Sequence, residues 1–187
     1  MVWNDGATRT ANLTDIFARG HEIRDLAVRP HERIALLRLF LCVAHAALDG
    51  PRNRDEWEDC LARLPAAAKD YLQRWRPAFE LFGDGQRFLQ DSNLKAIKAS
   101  DDGNSVSKLD MALATGNNPT LFDNSGGDGR AFPPEQIALL LLTFQCFSPG
   151  GTIGVALWDQ KPTPGWKSYP KPAPGQSSHA PCLPGSM

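Results

Sequence analysis

The run PPEQIALLLLTFQCF, residues 133–147, decides how the chain is read. Pro133 and Pro134 suit a first helical turn, where a missing N–H costs nothing, and Glu135 sits where a helix N-terminus favours negative charge. Ser148-Pro149-Gly150-Gly151 stops the run. Between Ile137 and Leu142 no polar residue interrupts it, which predicts a helix buried over most of its surface. Two irregular loops flank it: ATGNNPTLFDNSGGDGR (114–130) before and SPGGTIG (148–154) after. A buried helix holding a glycine-rich or asparagine-rich loop at each end is one way to present peptide groups to a ligand. The same composition also fits two ordinary surface turns.

Working toward the N-terminus, PHERIALLRLFLCVAHAALDG (30–50) predicts a second long helix, with Pro30 in its first turn and Gly50-Pro51 at its exit. Ile34, Leu37, Leu41, Ala44 and Leu48 keep three- and four-residue spacing and are expected to form one buried face. The expected core therefore joins Ile34, Leu37 and Leu41 to Leu139, Leu142 and Phe144 of the first helix. His45 in this run reads as a core or interface histidine, and Cys42, like Cys146, as an inert core thiol. A helix from Asn53 to Leu64 and another from Pro65 to Trp75 are expected next, with Tyr71, Leu72 and Trp75 on one face. AFELFGDGQRFLQ (78–90) places aromatic residues around a Gly-Asp-Gly turn. Ser107 is a candidate cap for a short helix from Lys108 to Ala114. At the N-terminus Asn4-Asp5-Gly6 predicts a tight hairpin, and Asn12 or Thr14 caps a short helix ending near Gly20, before a linker or short strand at 21–28. The fold class expected is α+β: a predominantly helical domain with small β-hairpins and long loops.

With 187 residues, 42% of them hydrophobic and 22% charged, the chain fits one soluble globular domain, or one domain and a tail. A net charge of -1 excludes a whole-molecule electrostatic funnel for nucleic acid and leaves only a local basic patch or a basic partner. Arg33, Arg38 and His45 interrupt the best membrane-spanning candidate, and MVWNDGATRT lacks the features of a signal peptide, so a cytoplasmic location is expected. Cys42, Cys60, Cys146 and Cys182 show no metal-ligand spacing, and no cofactor is expected. An enzyme reading would rest on His179 with Cys182, or on His45 with nearby carboxylates, and neither has an activating arrangement.

Residues 1–154 read as the globular domain, and 155–187 as an extended or disordered segment rich in Pro, Gly and Ser. VALW within it is a possible strand. Lys161, Lys167 and Lys171 are interleaved there with Trp158, Trp166 and Tyr169, a basic and aromatic mixture that suits nucleic acid as well as a loop packed on other protein.

Taken in order, ERIALLRLFLCVAHAALDGP (32–51), YLQRWRPAFELFGDGQRFLQ (71–90), VSKLDMALATGNNPTLFDN (106–124), LLTFQCFSPGG (141–151) and SSHAPCLPGSM (177–187) resemble the N-terminal part of the CasA family, the large subunits of type I-E Cascade in CRISPR immunity. Members usually start with an additional strand segment, reduced here to MVW, and continue into more of the same domain and a helical bundle. The resemblance therefore implies a fragment, a truncated product or the ordered part of a longer subunit. It also implies a non-enzymatic role in antiviral defence: recognising the protospacer-adjacent motif (PAM) in double-stranded DNA within a crRNA-bearing ribonucleoprotein complex, aiding duplex opening, and recruiting a helicase-nuclease. By the same resemblance Asn118, Phe122 and Asn124 are expected to contact neighbouring subunits and crRNA, and Gly150, Gly151 and Gly154 to approach the DNA minor groove, with Lys161, Lys167 and Lys171 as basic contacts. The competing class is a helical scaffold that never touches DNA.

Overall fold

Residues 1–97, 105–112, 130–147 and 155–163 are described by the computed structural model of the chain. They belong to two units, Met1–Leu89 with Phe132–Cys146, and Gln90–Ala131 with Phe147–Met187. The architecture is mostly helical, with one small antiparallel sheet in each unit, which is the expected fold class.

In the first unit a strand β1 (Val2–Trp3) pairs antiparallel with β2 (Ile23–Asp25). The Asn4-Asp5-Gly6 turn forms as expected, with Gly6 at φ 81, and closes through an isolated bridge between Val2 and Thr8. Asn12 then caps helix α1 (Leu13–Arg19) by accepting the Asp15 N–H at 2.8 Å, which satisfies one of the orphan donors of the first turn. Trp3 is buried, and the Arg19 guanidinium lies 4.6 Å from its ring centre, held from the other side by Glu22.

Helix α2 (Pro30–Leu48) starts and stops where its sequence predicts. Glu32, buried, folds back to accept the backbone N–H of Arg29 at 2.8 Å and pairs with the Arg29 guanidinium at 2.6 Å. At the far end Asp49 takes the left-handed conformation, φ 52, and returns its N–H to the His45 carbonyl. The orientation of the helix corrects the sequence reading. Of the expected face, Ile34, Leu37 and Leu41 are 50%, 47% and 52% exposed and only Ala44 is buried, together with Ala35 and Val43, which lie outside that face. Both sides of α2 are apolar, so three-to-four spacing exists on each and cannot choose between them. The inward side carries Leu36, Leu39 and Val43, flanked by Ala35 and Ala44, and Leu36 and Leu39 line an apolar cleft inside this unit. Cys42 and His45, expected in a core or interface, are exposed for the same reason.

Helix α3 runs unbroken from Arg54 to Arg74, with Pro65 inside it, where two helices were expected. Proline removes one i→i−4 bond, but strong helix formers flank it in LARL and AAAK, and one apolar line crosses it: Trp57, Leu61, Leu64, Ala68 and Leu72. That line is covered only in part. Ala68 and Leu72 are buried against the unit, whereas Trp57 and Leu61 on the N-terminal half are 42% and 54% exposed. Asn53 caps this half, accepting the Glu56 N–H at 2.9 Å.

After α3 the chain makes a 3-10 turn, Arg76–Phe79, and reverses over Gly83 (φ 118) and Gly85 (φ 90). The Phe88 N–H meets the Glu80 carbonyl at 2.8 Å, and the Phe79 and Phe88 rings stack with centres 6.0 Å apart. Helix α4 (Pro134–Phe147) returns to this unit and buries Leu140, Leu142 and Thr143, with Leu139 and Phe144 half-buried. Thr143 satisfies its own hydroxyl by donating to the Leu139 carbonyl at 2.7 Å, so the buried helix surface stays effectively apolar. An apolar cleft of about 1230 Å³ lies between α4 and the first three helices, lined by Leu36, Leu39, Leu72, Phe79, Phe88 and Leu139 among others.

In the second unit the turn at Val106–Leu109 is a 3-10 helix capped by Ser105, not by Ser107, whose N–H it receives at 3.4 Å. Ser107 is instead buried. The helix expected from Lys108 to Ala114 does not form: the turn ends at Leu109, Asp110 is extended (φ -87, ψ 101), and Met111 and Ala112 make a turn, with Leu113 and Ala114 outside the described residues.

Candidate nucleic-acid interface

Three two-residue strands build the sheet of the second unit: β3 (Leu94–Lys95), β4 (Leu157–Trp158) and β5 (Lys161–Pro162), in that spatial order and antiparallel throughout. The β4–β5 turn has just two residues, Asp159 and Gln160, at φ 47 and 65. Positive φ at both positions is the type I′ geometry whose twist matches a hairpin, normally supplied by Asn-Gly. Asp-Gln adopts it at a conformational cost, which is why neither residue signalled a turn in the sequence. Two bonds extend the ladder: Thr163 N–H to the Ala156 carbonyl at 2.7 Å, and Ala156 N–H to the Thr163 hydroxyl at 2.9 Å.

Register assigns the faces. Leu94 stands opposite Trp158 and Trp158 opposite Lys161, so these three share one side of the sheet. Lys95, Leu157 and Pro162 share the other. Leu94 (52%), Trp158 (39%) and Lys161 all reach solvent. An open aromatic ring beside an ammonium group is the pairing that single-stranded nucleic acid uses, a π-face for a base and a charge for the phosphate next to it. Neither Lys95 nor Lys161 is ion-paired to a described residue. The interleaving of Trp158 with Lys161 noticed in the sequence thus becomes a cross-strand pair. Leu94 and Lys95 were missed as members of this sheet, since a two-residue strand carries no periodic signal.

Three arginines around the N-terminal sheet of the first unit are engaged elsewhere. Arg9 is paired with Asp5, Arg19 with Glu22 and Arg33 with Asp25. These contacts depress the carboxyls: Asp5 through the Ala7 N–H and then Arg9, Glu22 through Arg19, and Asp25 through the Leu26 N–H and then Arg33. All lie at the surface, so they organise the N-terminal sheet more than they offer free positive charge.

Asn118, Phe122, Asn124, Gly150, Gly151, Gly154, Lys167 and Lys171 lie outside the described residues, as do His179 and Cys182. What the structure does describe is helix α4, which stands between the two stretches in the sequence. At 1.5 Å per residue its 14 residues span about 20 Å. Among the described residues no group of three His, Cys, Asp or Glu side chains stands close enough to hold a metal, and no helix is long and apolar enough to cross a membrane.

The family described as CRISPR-associated protein Cse1 matches residues 1–186. CRISPR-associated protein CasA/Cse1 of Thermus thermophilus is 34% identical over 157 residues, which are 81% of this chain and 30% of that protein. Among solved structures, Thermus thermophilus CasA (Cse1) superposes with a TM-score of 0.64 at 28% identity, over 81% of this chain and 31% of that one. Cse1 from Acidimicrobium ferrooxidans gives 0.59 at 28%, over 79% and 27%. Thermobifida fusca Cse1 gives 0.68 at 22% identity, over 83% and 29%, a likeness of fold alone. The chain thus spans about 30% of the length of the curated relative it matches.

Proposed function

Because the chain belongs to the CRISPR-associated Cse1 family, we propose that it serves as the N-terminal portion of the large subunit of a type I-E, crRNA-guided surveillance complex. In this reading it is a non-catalytic element that meets the protospacer-adjacent motif in duplex DNA, helps to open the duplex, and contributes to recruiting a helicase-nuclease. The family match over residues 1–186 carries the reading. The distribution of charge supports it: at a net charge of -1, base pairing by the guide and phosphate contacts from other subunits have to supply most of the affinity.

Roles divide along the chain. Asn118, Phe122 and Asn124 face the crRNA and neighbouring subunits, Gly150, Gly151 and Gly154 bring backbone to the minor groove, and Lys161, Lys167 and Lys171 with Trp158 meet the opened strand. Glycine admits backbone where a side chain would collide, and the minor groove carries a degenerate code, so a glycine reader tolerates several motifs.

The test is to express the tagged chain with crRNA and the other subunits of a type I-E complex and crosslink what co-purifies to a motif-bearing duplex. Co-purification with crosslinking supports the reading; co-purification without any crosslink to this chain leaves a scaffold. Gly151→Ala then separates groove reading from helix capping. A groove reader keeps its melting temperature and loses affinity for the motif duplex at fixed salt, while a cap loses about 1 kcal/mol of stability and binds DNA as before.

A further inference from the structure

Thr163 closes the open end of the β4–β5 hairpin with two bonds to one residue. Its N–H meets the Ala156 carbonyl at 2.7 Å, and its hydroxyl receives the Ala156 N–H at 2.9 Å. In a regular antiparallel ladder that second bond ends on a main-chain carbonyl. Here a side-chain oxygen takes it, so the rung depends on which residue stands at 163. The hairpin has little else to fix its register. Each strand has two residues, Pro162 has no N–H to give, and the Asp159-Gln160 turn holds two non-glycine residues at positive φ. A slip of one residue moves every side chain of a strand to the other side of its sheet. Slippage of β5, the edge strand, would therefore take Lys161 away from Trp158, which stays paired with Leu94 across β4 and β3.

We propose that Thr163 is a positioning residue for the contact with the opened strand. By clamping Ala156 it keeps the Lys161 ammonium beside the Trp158 ring, so that the hairpin takes one base of unpaired DNA on the indole and the adjoining phosphate on the ammonium. The class of ligand follows from what stands on that side of the sheet. Trp158 and Lys161 are exposed, and their neighbour Leu94 adds apolar surface rather than a hydrogen-bonding group that could identify a base by its edge. Such a surface stacks any base, so the contact is with single-stranded DNA regardless of sequence. The Asp159 carboxylate, exposed at the tip, repels phosphate there and leaves it to the Lys161 side. The inference rests on the proposed contact with the opened strand, and the experiment separates the two.

The full chain is followed by exchange of the Ala156 amide and by its affinity, over a series of salt concentrations, for a single-stranded oligothymidylate of about 12 nucleotides. Thr163→Val keeps the shape of the side chain and removes the acceptor. It is expected to speed Ala156 exchange and to lower the log-log salt slope of binding by about 0.7, the share of one phosphate contact on a single strand. Thr163→Ser, which keeps the oxygen, is expected to restore both. Lys161→Gln should lower the slope as Thr163→Val does, and combining the two should lower it no further. Trp158→Ala should weaken binding about fivefold or more and leave the slope unchanged. If Thr163→Val leaves either the Ala156 exchange or the slope as in wild type, the positioning role is overturned, while the strand contact stands on Trp158→Ala and Lys161→Gln. If those two variants bind as wild type does, the strand contact falls and the positioning role falls with it. Should Thr163→Val lower the melting temperature, Gln160→Gly is added to it, because an Asp-Gly pair favours the same turn without changing the charge. Return of the slope to the wild-type value in that double variant upholds the proposal, and a slope that stays low overturns it.

Discussion

Helices α2 and α4 are the two most apolar long helices among the described residues, yet they handle that surface differently. In α4 the leucine run is taken in: Leu140 and Leu142 are buried, and a threonine hydroxyl is satisfied within the helix. In α2 one apolar side, with Leu36, Leu39 and Val43, goes inward, and the other, with Ile34, Leu37 and Leu41, stays out. Hydrophobicity therefore sets how much surface a helix would bury, while the neighbours its fold supplies decide which side is buried. Helix α3 shows both behaviours along one apolar line, covered at Ala68 and Leu72 and open at Trp57 and Leu61.

The sharpest way to break this contrast is to truncate the buried side. Leu140→Ala, at a side chain 1% exposed, should cost about 2–5 kcal/mol in urea unfolding, because the space left in α4 cannot fill with water or collapse fully. An exposed-site response there would erase the distinction between the two helices. Next comes the open half of α3, which has little tertiary cover and depends on its cap. Asn53→Ala should destabilise by about 1 kcal/mol, and amides from Trp57 to Leu61 should exchange faster than those from Ala68 to Leu72. Smaller still, Leu41→Ala should shift stability by no more than about 0.5 kcal/mol, since the chain itself covers only half of that side chain. A loss as large as that of Leu140→Ala would restore the buried face expected from spacing.

The smallest effect is electrostatic. Asp5, Glu22 and Asp25 have folded pKa values held below their ordinary 3.8, 4.5 and 3.8. Their contribution is therefore complete above those ordinary values and is lost as pH falls through the lower folded ones. Melting temperature should decline slightly below about pH 4.5, and Asp25→Asn should flatten that decline. A wild-type profile that the substitution leaves unaltered would remove these pairs from the account of the N-terminal sheet.

What the sequence made legible follows from what is encoded locally. The Asn12 cap, the Pro30 start and the end of α2 before Gly50-Pro51, and the start of α4 all depend on a few adjacent residues, and they are found where expected. The inward side of α2 depends on distant residues, so spacing could not reveal it. Pro65 misled because its local cost is outweighed by an apolar line that continues across it. The Asp159-Gln160 turn was hidden because it uses residues that seldom take positive φ. Of the candidate interface, Trp158 and Lys161 were visible by composition alone, and only the register made them neighbours.

The length of α4 has a further consequence when expressed in the units of its proposed ligand. A duplex advances 3.4 Å per base pair, so the 14 residues of the helix are about as long as six base-pair steps. In the proposed function that makes α4 a spacer: a motif of two or three base pairs is shorter than the helix that stands between the asparagine-rich and glycine-rich stretches in the sequence.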